Sequence, residues 1–153
     1  MPVTVGDVAP QFSLPGVQDG VRREHSLAEY RGAPVVVVFY PGDNTPVCTR
    51  QLNAYTDDLD RFDALDARVL AMSPEDLDSH ESFAAAQGGF GFPLLADVDK
   101  AVAEAYGVLG PLGFYRRSLV VVDADGIIAY VHRGHAASNF RPTDELVEVL
   151  RSA

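Results

Sequence analysis

The chain has 153 residues, 47% of them hydrophobic, which is enough to form one sizeable core, so we expect a single domain over residues 1–153. Its formal net charge of −10 argues against nucleic acid and against anionic membrane surfaces as partners. The one cysteine, Cys48, excludes an internal disulfide framework and a cysteine-rich metal site.

The first forty residues are predicted to contain two strands and a short helical turn ahead of a buried strand. Weak alternation of apolar residues predicts an edge strand over 8–14, and a second strand is expected over 21–25. Ser26 and Glu29 have the spacing of a capping box, which predicts a helical turn before Arg31. Residues 35–40, VVVVFY, form a continuous β-branched and aromatic run that is typical of a strand buried on both faces.

A helix is predicted to begin after this strand, once the Pro-Gly-Asp-Asn break at 41–44 has passed. Thr45 is the candidate N-cap and Pro46 takes the first helical position, so Cys48 falls in the first turn. Free N–H groups and the positive end of the helix dipole favour a thiolate there. One apolar face predicts that the helix extends to Phe62; its residues are Cys48, Leu52, Tyr55, Leu59 and Phe62. An inert buried cysteine is equally compatible with this pattern.

The rest of the chain alternates strands and helices and ends in a hairpin and a helix. Ser73-Pro74-Glu75-Asp76 has the form of a helix start with Ser73 as the cap, and Gly88-Gly89 ends that helix. The expected elements are a strand over 67–72, a helix from 74 to about 87, a loop or short strand over 92–96, a helix over 100–106, strands over 115–122 and 127–132 joined by a turn at 123–126, and a helix over about 143–150. This order predicts an α/β, thioredoxin-like fold with a mixed central sheet flanked by helices on both faces.

The segment 39–51, FYPGDNTPVCTRQ, resembles the active-site segment of the peroxiredoxins, which has the pattern P-x-x-x-T/S-x-x-C. Pro41, Thr45 and Cys48 match this pattern, and Gln51 stands where the family often has Glu or Gln. The likeness is greatest to the bacterioferritin-comigratory and related one-cysteine bacterial branches, and it extends over SPEDLDSHESF, FPLLADVDKAVAEAYGV and RRSLVVVDADG. It implies a thioredoxin-like fold with the peroxiredoxin N-terminal extension, and a thiol-dependent peroxidase that reduces hydrogen peroxide and organic hydroperoxides.

In such a peroxidase Cys48 attacks one oxygen of the O–O bond, so the site needs hydrogen-bond donors for both oxygens and a cation for the thiolate. Thr45 is placed to offer its hydroxyl, or it only caps the helix. Pro41 has a ring that would shield the sulfur from water, or it only starts a loop. Gln51 would orient the cation, or it is a solvated helix residue, and Tyr40 is a further supporting candidate.

Arg116 and Arg117 are the candidates for the cation, and only one of them can face the sulfur because adjacent strand residues point to opposite faces. Alternation groups Arg117 with Leu119 and Val121, but both faces of the strand are apolar enough to be core, so periodicity does not choose. The family pattern R-x-T/S-F-x-x-D, counted back from Asp123, selects Arg117, although two intervening residues differ from the pattern. The alternative for either arginine is a surface charge at a strand end.

Many relatives of this branch carry a resolving cysteine five residues after the first, where this chain has Asn53. We therefore expect a one-cysteine cycle in which Cys48 becomes a sulfenic acid. An external thiol then restores it, and this reductant is a low-molecular-weight thiol or a thioredoxin-like or glutaredoxin-like protein. Monomers and homodimers both occur among similar proteins, so the oligomeric state stays open.

Two other functions compete with the peroxidase. The main alternative is a non-enzymatic thioredoxin-like module in which Cys48 senses redox state or packs inertly. A cysteine hydrolase is disfavoured because the sequence offers no family-like arrangement of cysteine and histidine. We expect His80 to have a structural capping role or a surface role.

The sequence predicts no cofactor, no metal and no membrane attachment. The acidic residues of DADG, 123–126, are better explained as a turn than as metal ligands, and no phosphate-binding or dinucleotide fingerprint is present. No apolar run reaches transmembrane length and the N-terminus lacks a signal-peptide pattern, so we expect a cytoplasmic protein.

Overall fold

The computed structural model describes residues 3–135 and 140–152, in which seven strands form one mixed sheet of order β2-β1-β5-β4-β3-β6-β7. The strands are β1 Ser13–Gln18, β2 Val21–Ser26, β3 Val35–Phe39, β4 Arg68–Ser73, β5 Leu94–Ala96, β6 Ser118–Val122 and β7 Ile128–Arg133. The helices are α1 Pro46–Asp57, α2 Leu59–Asp63, α3 Leu77–Ala86, α4 Ala101–Tyr106 and α5 Thr143–Ser152, with a 3₁₀ turn at Leu27–Tyr30. The thioredoxin-like architecture expected from the order of elements is confirmed.

Strand β3 lies inside the sheet, parallel to β4 and antiparallel to β6. All five of its residues are buried, which explains the continuous apolar run. Its side chains alternate between two cores: Val36 and Val38 join one cluster with Cys48, whereas Val35 and Val37 join the other. The helix that carries Cys48 therefore packs on one defined face of the sheet.

The strand predicted over 8–14 is wrong, because β1 begins only at Ser13. Val8 makes no more than an isolated bridge to Ile127, and the apolar alternation reflects burial of Ala9 and Phe12 in the core rather than pairing in a ladder. The edge assignment is also wrong, since β1 lies between β2 and β5 and β2 is the outer strand.

The helix predicted to reach Phe62 ends at Asp57 instead, and a separate helix, α2, follows from Leu59. Asp58 leaves helical geometry with ψ at 13°, and two consecutive aspartates are poor residues for a helix interior because they compete for backbone hydrogen bonds. The apolar face survives the break, because Leu52, Tyr55 and Phe62 remain fully buried.

Two further boundaries differ from the sequence-based prediction. Ser73 is the last residue of β4, paired with Ala96, and the cap of α3 is Asp76, which accepts a hydrogen bond from the Ser79 backbone N–H at 2.9 Å. Strand β6 begins at Ser118 rather than at residue 115, because Tyr115 bridges only to Leu109. The capping-box turn after Ser26, the β6–β7 hairpin and the short helix ended by Gly107 are confirmed.

Among the described residues, none of the helices has both the length and the apolar character that crossing a bilayer requires.

The C-terminal helix α5 packs against the face that carries Cys48, with Leu146 and Leu150 in the same cluster.

A polar network fixes the start of α5 to the sheet. Tyr130 of β7 and Arg141 both donate hydrogen bonds to the Glu145 carboxylate, the latter through Nε at 2.9 Å. These two bonds lower the pKa of Glu145 from 4.5 to about 2, with Arg141 as the larger cause.

Replacing Glu145 by glutamine should lower the free energy of unfolding by about 1 kcal/mol at neutral pH, as expected for a partly exposed ion-pair network. Because the folded-state pKa is depressed, the stabilisation is present above 4.5 and is lost as the pH falls towards about 2. In urea denaturation across this range, the free energies of unfolding of wild type and Glu145→Gln should therefore become equal as the pH falls. Glu148→Gln, on an exposed carboxylate of the same helix, is the control; a wild-type advantage that stays constant across the range would contradict the account.

Candidate active site

Cys48 lies fully buried in the first turn of α1, above the central strands of the sheet. Its cluster contains Val38 of β3, Tyr40 directly after that strand, and Leu119 and Val121 from β6. The loop between β3 and α1 covers this position, with Pro41 half-buried and Thr45 exposed. The sulfur is thus buried in an apolar setting at the N-terminal end of α1.

The helix start leaves N–H groups available near Cys48. Thr45 is the N-cap residue by backbone geometry and Pro46 is the first helical residue, as predicted. The Thr45 side chain does not cap the helix; its hydroxyl donates to the Gly42 carbonyl oxygen at 3.3 Å. Because Thr45 does not accept from the first-turn N–H groups, the positive end of the dipole is free to stabilise an anion at Cys48.

Arg117 is buried and reaches α1 one turn beyond the sulfur. Its Nη1 donates to Oε1 of Gln51 at 2.7 Å, and both side chains are almost completely inaccessible to solvent. Gln51 follows Cys48 by three residues, so the two are neighbours on the helix surface. A guanidinium is thereby fixed close to the face of α1 that carries the thiol.

The packing of β6 decides which of the two arginines, Arg116 or Arg117, lies on the side of Cys48. Leu119 and Val121, which share a face with Arg117, belong to the cluster of Cys48, whereas Val120 lies in the opposite core. Arg116 turns away and donates to the backbone oxygens of Arg133 and Gly134, both at 3.0 Å. Arg117 is therefore the arginine on the side of the sulfur.

Sequence reasoning missed Asp43 and left His80 between a structural capping role and a surface role. His80 is fully buried rather than at the surface, and its Nδ1 lies 2.8 Å from Oδ2 of Asp43. Tyr40 donates its hydroxyl to Oδ1 of the same carboxylate at 2.7 Å. A charged residue in the loop after a buried strand, together with a histidine in a later helix, was the available signal, but nothing in the sequence spacing joins residues 43 and 80.

Two tyrosines border the site and keep their protons. Burial, and next the Asp43 carboxylate, raise the pKa of Tyr40, and negative charge on Cys48 acts in the same direction. Burial raises the pKa of Tyr55 to about 12, and its hydroxyl donates to the Arg141 carbonyl oxygen at 2.6 Å. Both phenols are hydrogen-bond donors at neutral pH.

The described part of the chain holds no group of three or more His, Cys, Asp or Glu side chains arranged to bind a metal ion. Asp97 accepts hydrogen bonds from the backbone N–H groups of Val102 and Ala103 at the start of α4. Asp123 accepts from the N–H groups of Asp125 and Ile127, which is the geometry of a turn.

Comparison with known proteins gives consistent matches. Residues 5–131 match the AhpC/TSA family. A Mycobacterium tuberculosis protein named "Putative peroxiredoxin Rv2521" is 41% identical, over 97% of this chain and 94% of that protein. The rice chloroplastic peroxiredoxin Q is 35% identical, over 97% of this chain and 66% of that protein.

Solved structures give the same result. The reduced 2-Cys peroxiredoxin of Plasmodium vivax superposes with a TM-score of 0.91 at 28% identity, over 98% of this chain and 81% of that one. Mycobacterium tuberculosis AhpC superposes with a TM-score of 0.89 at 27% identity, over 99% of this chain and 98% of that one.

Replacing Gln51 by alanine should lower the free energy of unfolding by about 2 kcal/mol, because a buried guanidinium loses a hydrogen-bond acceptor. Gln51→Glu retains an acceptor and should be stable. Asn53→Ala is the matched control, since its amide bonds the exposed Gln87 at 3.0 Å and should matter less. Denaturant unfolding measures all three; equal effects of Gln51→Ala and Asn53→Ala would show that the buried bond is unimportant.

Proposed function

The chain belongs to the AhpC/TSA family of peroxiredoxins, and from this premise we propose that it reduces hydroperoxides with a single catalytic cysteine, Cys48. Membership in the family assigns thiol-dependent peroxidase activity. The one-cysteine cycle, the roles of the surrounding residues and the use of both hydrogen peroxide and organic hydroperoxides are our proposals. The observation that carries them is the buried Arg117–Gln51 hydrogen bond beside the helix start that holds the only thiol.

In the first step the Cys48 thiolate attacks the nearer oxygen of the hydroperoxide. A sulfur–oxygen bond forms, the O–O bond breaks, and the leaving alkoxide or hydroxide takes up a proton to become an alcohol or water. Cys48 is oxidised to a sulfenic acid and the peroxide is reduced by two electrons. Charge moves from sulfur to the departing oxygen, so donors that face both atoms lower the barrier.

The neighbours of Cys48 suit these demands. Arg117 supplies a guanidinium that is held in place by Gln51, and the open N–H groups at the start of α1 add positive potential. Thr45 has a hydroxyl that is not engaged in capping the helix and can turn to a bound peroxide. Pro41 offers no N–H to the loop and its half-buried ring shields the sulfur from water. Tyr40 packs in the same buried cluster as Cys48 and forms part of the floor of the site.

The reductant comes from outside the chain, because Cys48 is the only cysteine in the sequence. A thiol attacks the sulfenic sulfur and releases water, which leaves a mixed disulfide. A second thiol then displaces Cys48 as a thiol and forms a disulfide with the first. Low-molecular-weight thiols and thioredoxin-like or glutaredoxin-like proteins are the classes that perform this chemistry.

The alternative of a non-enzymatic redox module is favoured by one observation, namely that the Cys48 side chain is fully buried. A buried cysteine packed as a small apolar residue reacts slowly with peroxide. The rate of peroxide reduction at Cys48 distinguishes the two functions.

Cys48→Ser should abolish hydroperoxide consumption, with each class of thiol supplied separately, because the nucleophile is gone. In the wild-type protein, hydrogen peroxide without a reductant should give a sulfenic acid that dimedone traps at Cys48 and mass spectrometry detects, followed by sulfinic acid at higher peroxide. Asn53→Ser, on the same helix, is the control and should retain activity. An unmodified Cys48 at modest peroxide would overturn the proposed function.

Arg117→Met should lower the rate constant for the reaction of Cys48 with hydrogen peroxide by about 100-fold, the loss typical of one preorganised charge-stabilising group. Arg116→Met is the matched control, because its side chain lies on the other face of the strand and bonds backbone oxygens. Stopped-flow kinetics gives the rate constants and thermal unfolding checks that both variants fold. Similar losses in the two variants would contradict the assignment of Arg117.

A further inference from the structure

Asp43 and His80 form a buried pair at the loop that precedes Cys48. The Asp43 side chain is 1% exposed and the His80 side chain is fully buried, with 2.8 Å between Oδ2 and Nδ1. Asp43 belongs to the β3–α1 loop, two residues before Thr45, whereas His80 belongs to α3. The pair therefore ties the loop to a helix that is distant in sequence.

The hydrogen bonds around the pair define its charge. Nδ1 of His80 faces the carboxylate and Nε2 faces the Leu95 carbonyl oxygen at 2.9 Å, so both ring nitrogens face acceptors. An imidazolium, with a proton on each nitrogen, satisfies both contacts. The carboxylate also accepts from the hydroxyls of Tyr40 and Ser79, both at 2.7 Å, and three donors favour its ionised form. These contacts favour an imidazolium beside a carboxylate, two charges that would cancel.

Tyr40 links Cys48 to this pair, because it packs in the same buried cluster as Cys48 and its hydroxyl donates to Asp43. The pKa of Tyr40 is raised by burial, then by Asp43, and also by negative charge on Cys48, so the carboxylate and the sulfur share one phenol as a neighbour. Without a positive charge on His80, a buried carboxylate bonded to this phenol would oppose the formation of a thiolate. The other carboxylate beside the loop is Glu75, whose Oε1 lies 3.1 Å from where a Cβ on Gly42 would be. Glu75 is half-buried, so solvent screens it more effectively.

We propose that His80 and Asp43 are positioning residues for Cys48: their ion pair fixes the 41–45 loop over the sulfur, and the imidazolium neutralises the carboxylate that would otherwise repel the thiolate. This inference deepens the proposed peroxidase function and rests on it. Neither residue touches the peroxide. They act through the loop and through the local potential.

Alkylation of Cys48 by iodoacetamide tests the proposal without using peroxide, because only the thiolate reacts and the pH profile reports its formation. His80→Asn retains a donor for Asp43 but removes the positive charge, so the pH midpoint of alkylation should rise by about one unit, which is about a tenfold loss of rate below the midpoint. The double variant Asp43→Asn/His80→Asn removes both charges and should return the midpoint to that of the wild type. Ser79→Ala removes a hydrogen bond to Asp43 without changing any charge, and should leave the midpoint in place.

The outcomes separate this inference from the function on which it rests. A shifted midpoint that the double variant restores supports the proposal, even if wild-type protein fails to reduce peroxide and the peroxidase assignment falls. The proposal is overturned if folded His80→Asn has the same pH midpoint of alkylation as the wild type. It is also overturned if the midpoint of the double variant is raised as much as that of His80→Asn. Nitrogen NMR of the His80 ring in wild-type protein needs no variant: protons on both nitrogens at neutral pH support the ion pair, and a bare Nδ1 or Nε2 overturns it.

Discussion

The hydrogen bond from Arg117 to Gln51 joins the central sheet to the helix that carries Cys48, and the geometry of the site depends on it. It is 2.7 Å long and fully buried, so neither group can exchange this partner for water without local unfolding. Arg117 immediately precedes β6, which pairs with β3, and β3 leads directly into the loop and helix of the thiol. The cation is therefore anchored beside β6 and the nucleophile on the helix that follows β3, so the pairing of these two strands contributes to the separation of the two groups.

Charge around Cys48 is balanced locally within a strongly acidic chain. The sequence carries a net charge of −10, yet the buried groups of the site include the Arg117 guanidinium and the start of α1, and we propose that the charges of Asp43 and His80 cancel. Both nearby phenols remain protonated because burial raises the pKa of Tyr40 and of Tyr55. The remaining acidic side chains are mostly at the surface, where water screens them. The site thus favours a negative charge on the Cys48 sulfur.

Local sequence patterns predicted the start of α1 and the buried strand β3, because the residues that determine each of them are neighbours in the sequence. The β-branched run of β3, Pro46 at the first helical position and the β6–β7 hairpin are of this kind. The break at Asp58 and the cap at Asp76 were missed, since strand register and competing turn residues decide them.

The residues of the site likewise fall into two groups, those that local sequence predicts and those that depend on tertiary packing. Cys48 and Thr45 follow from the segment around the helix start, whereas the choice of Arg117 over Arg116 from periodicity required knowledge of which face of β6 packs on α1. The Asp43–His80 pair could not be predicted, because it joins residues 37 positions apart through the packing of α3 on the sheet.

The charge of Cys48 at neutral pH is the central claim, and the ultraviolet absorbance of the thiolate measures it most directly. A difference spectrum between wild type and Cys48→Ser at neutral pH isolates the one sulfur in the chain. We predict a thiolate signal that disappears when the wild-type protein is acidified. A wild-type spectrum that matches that of Cys48→Ser at neutral pH would show a protonated thiol and contradict this account.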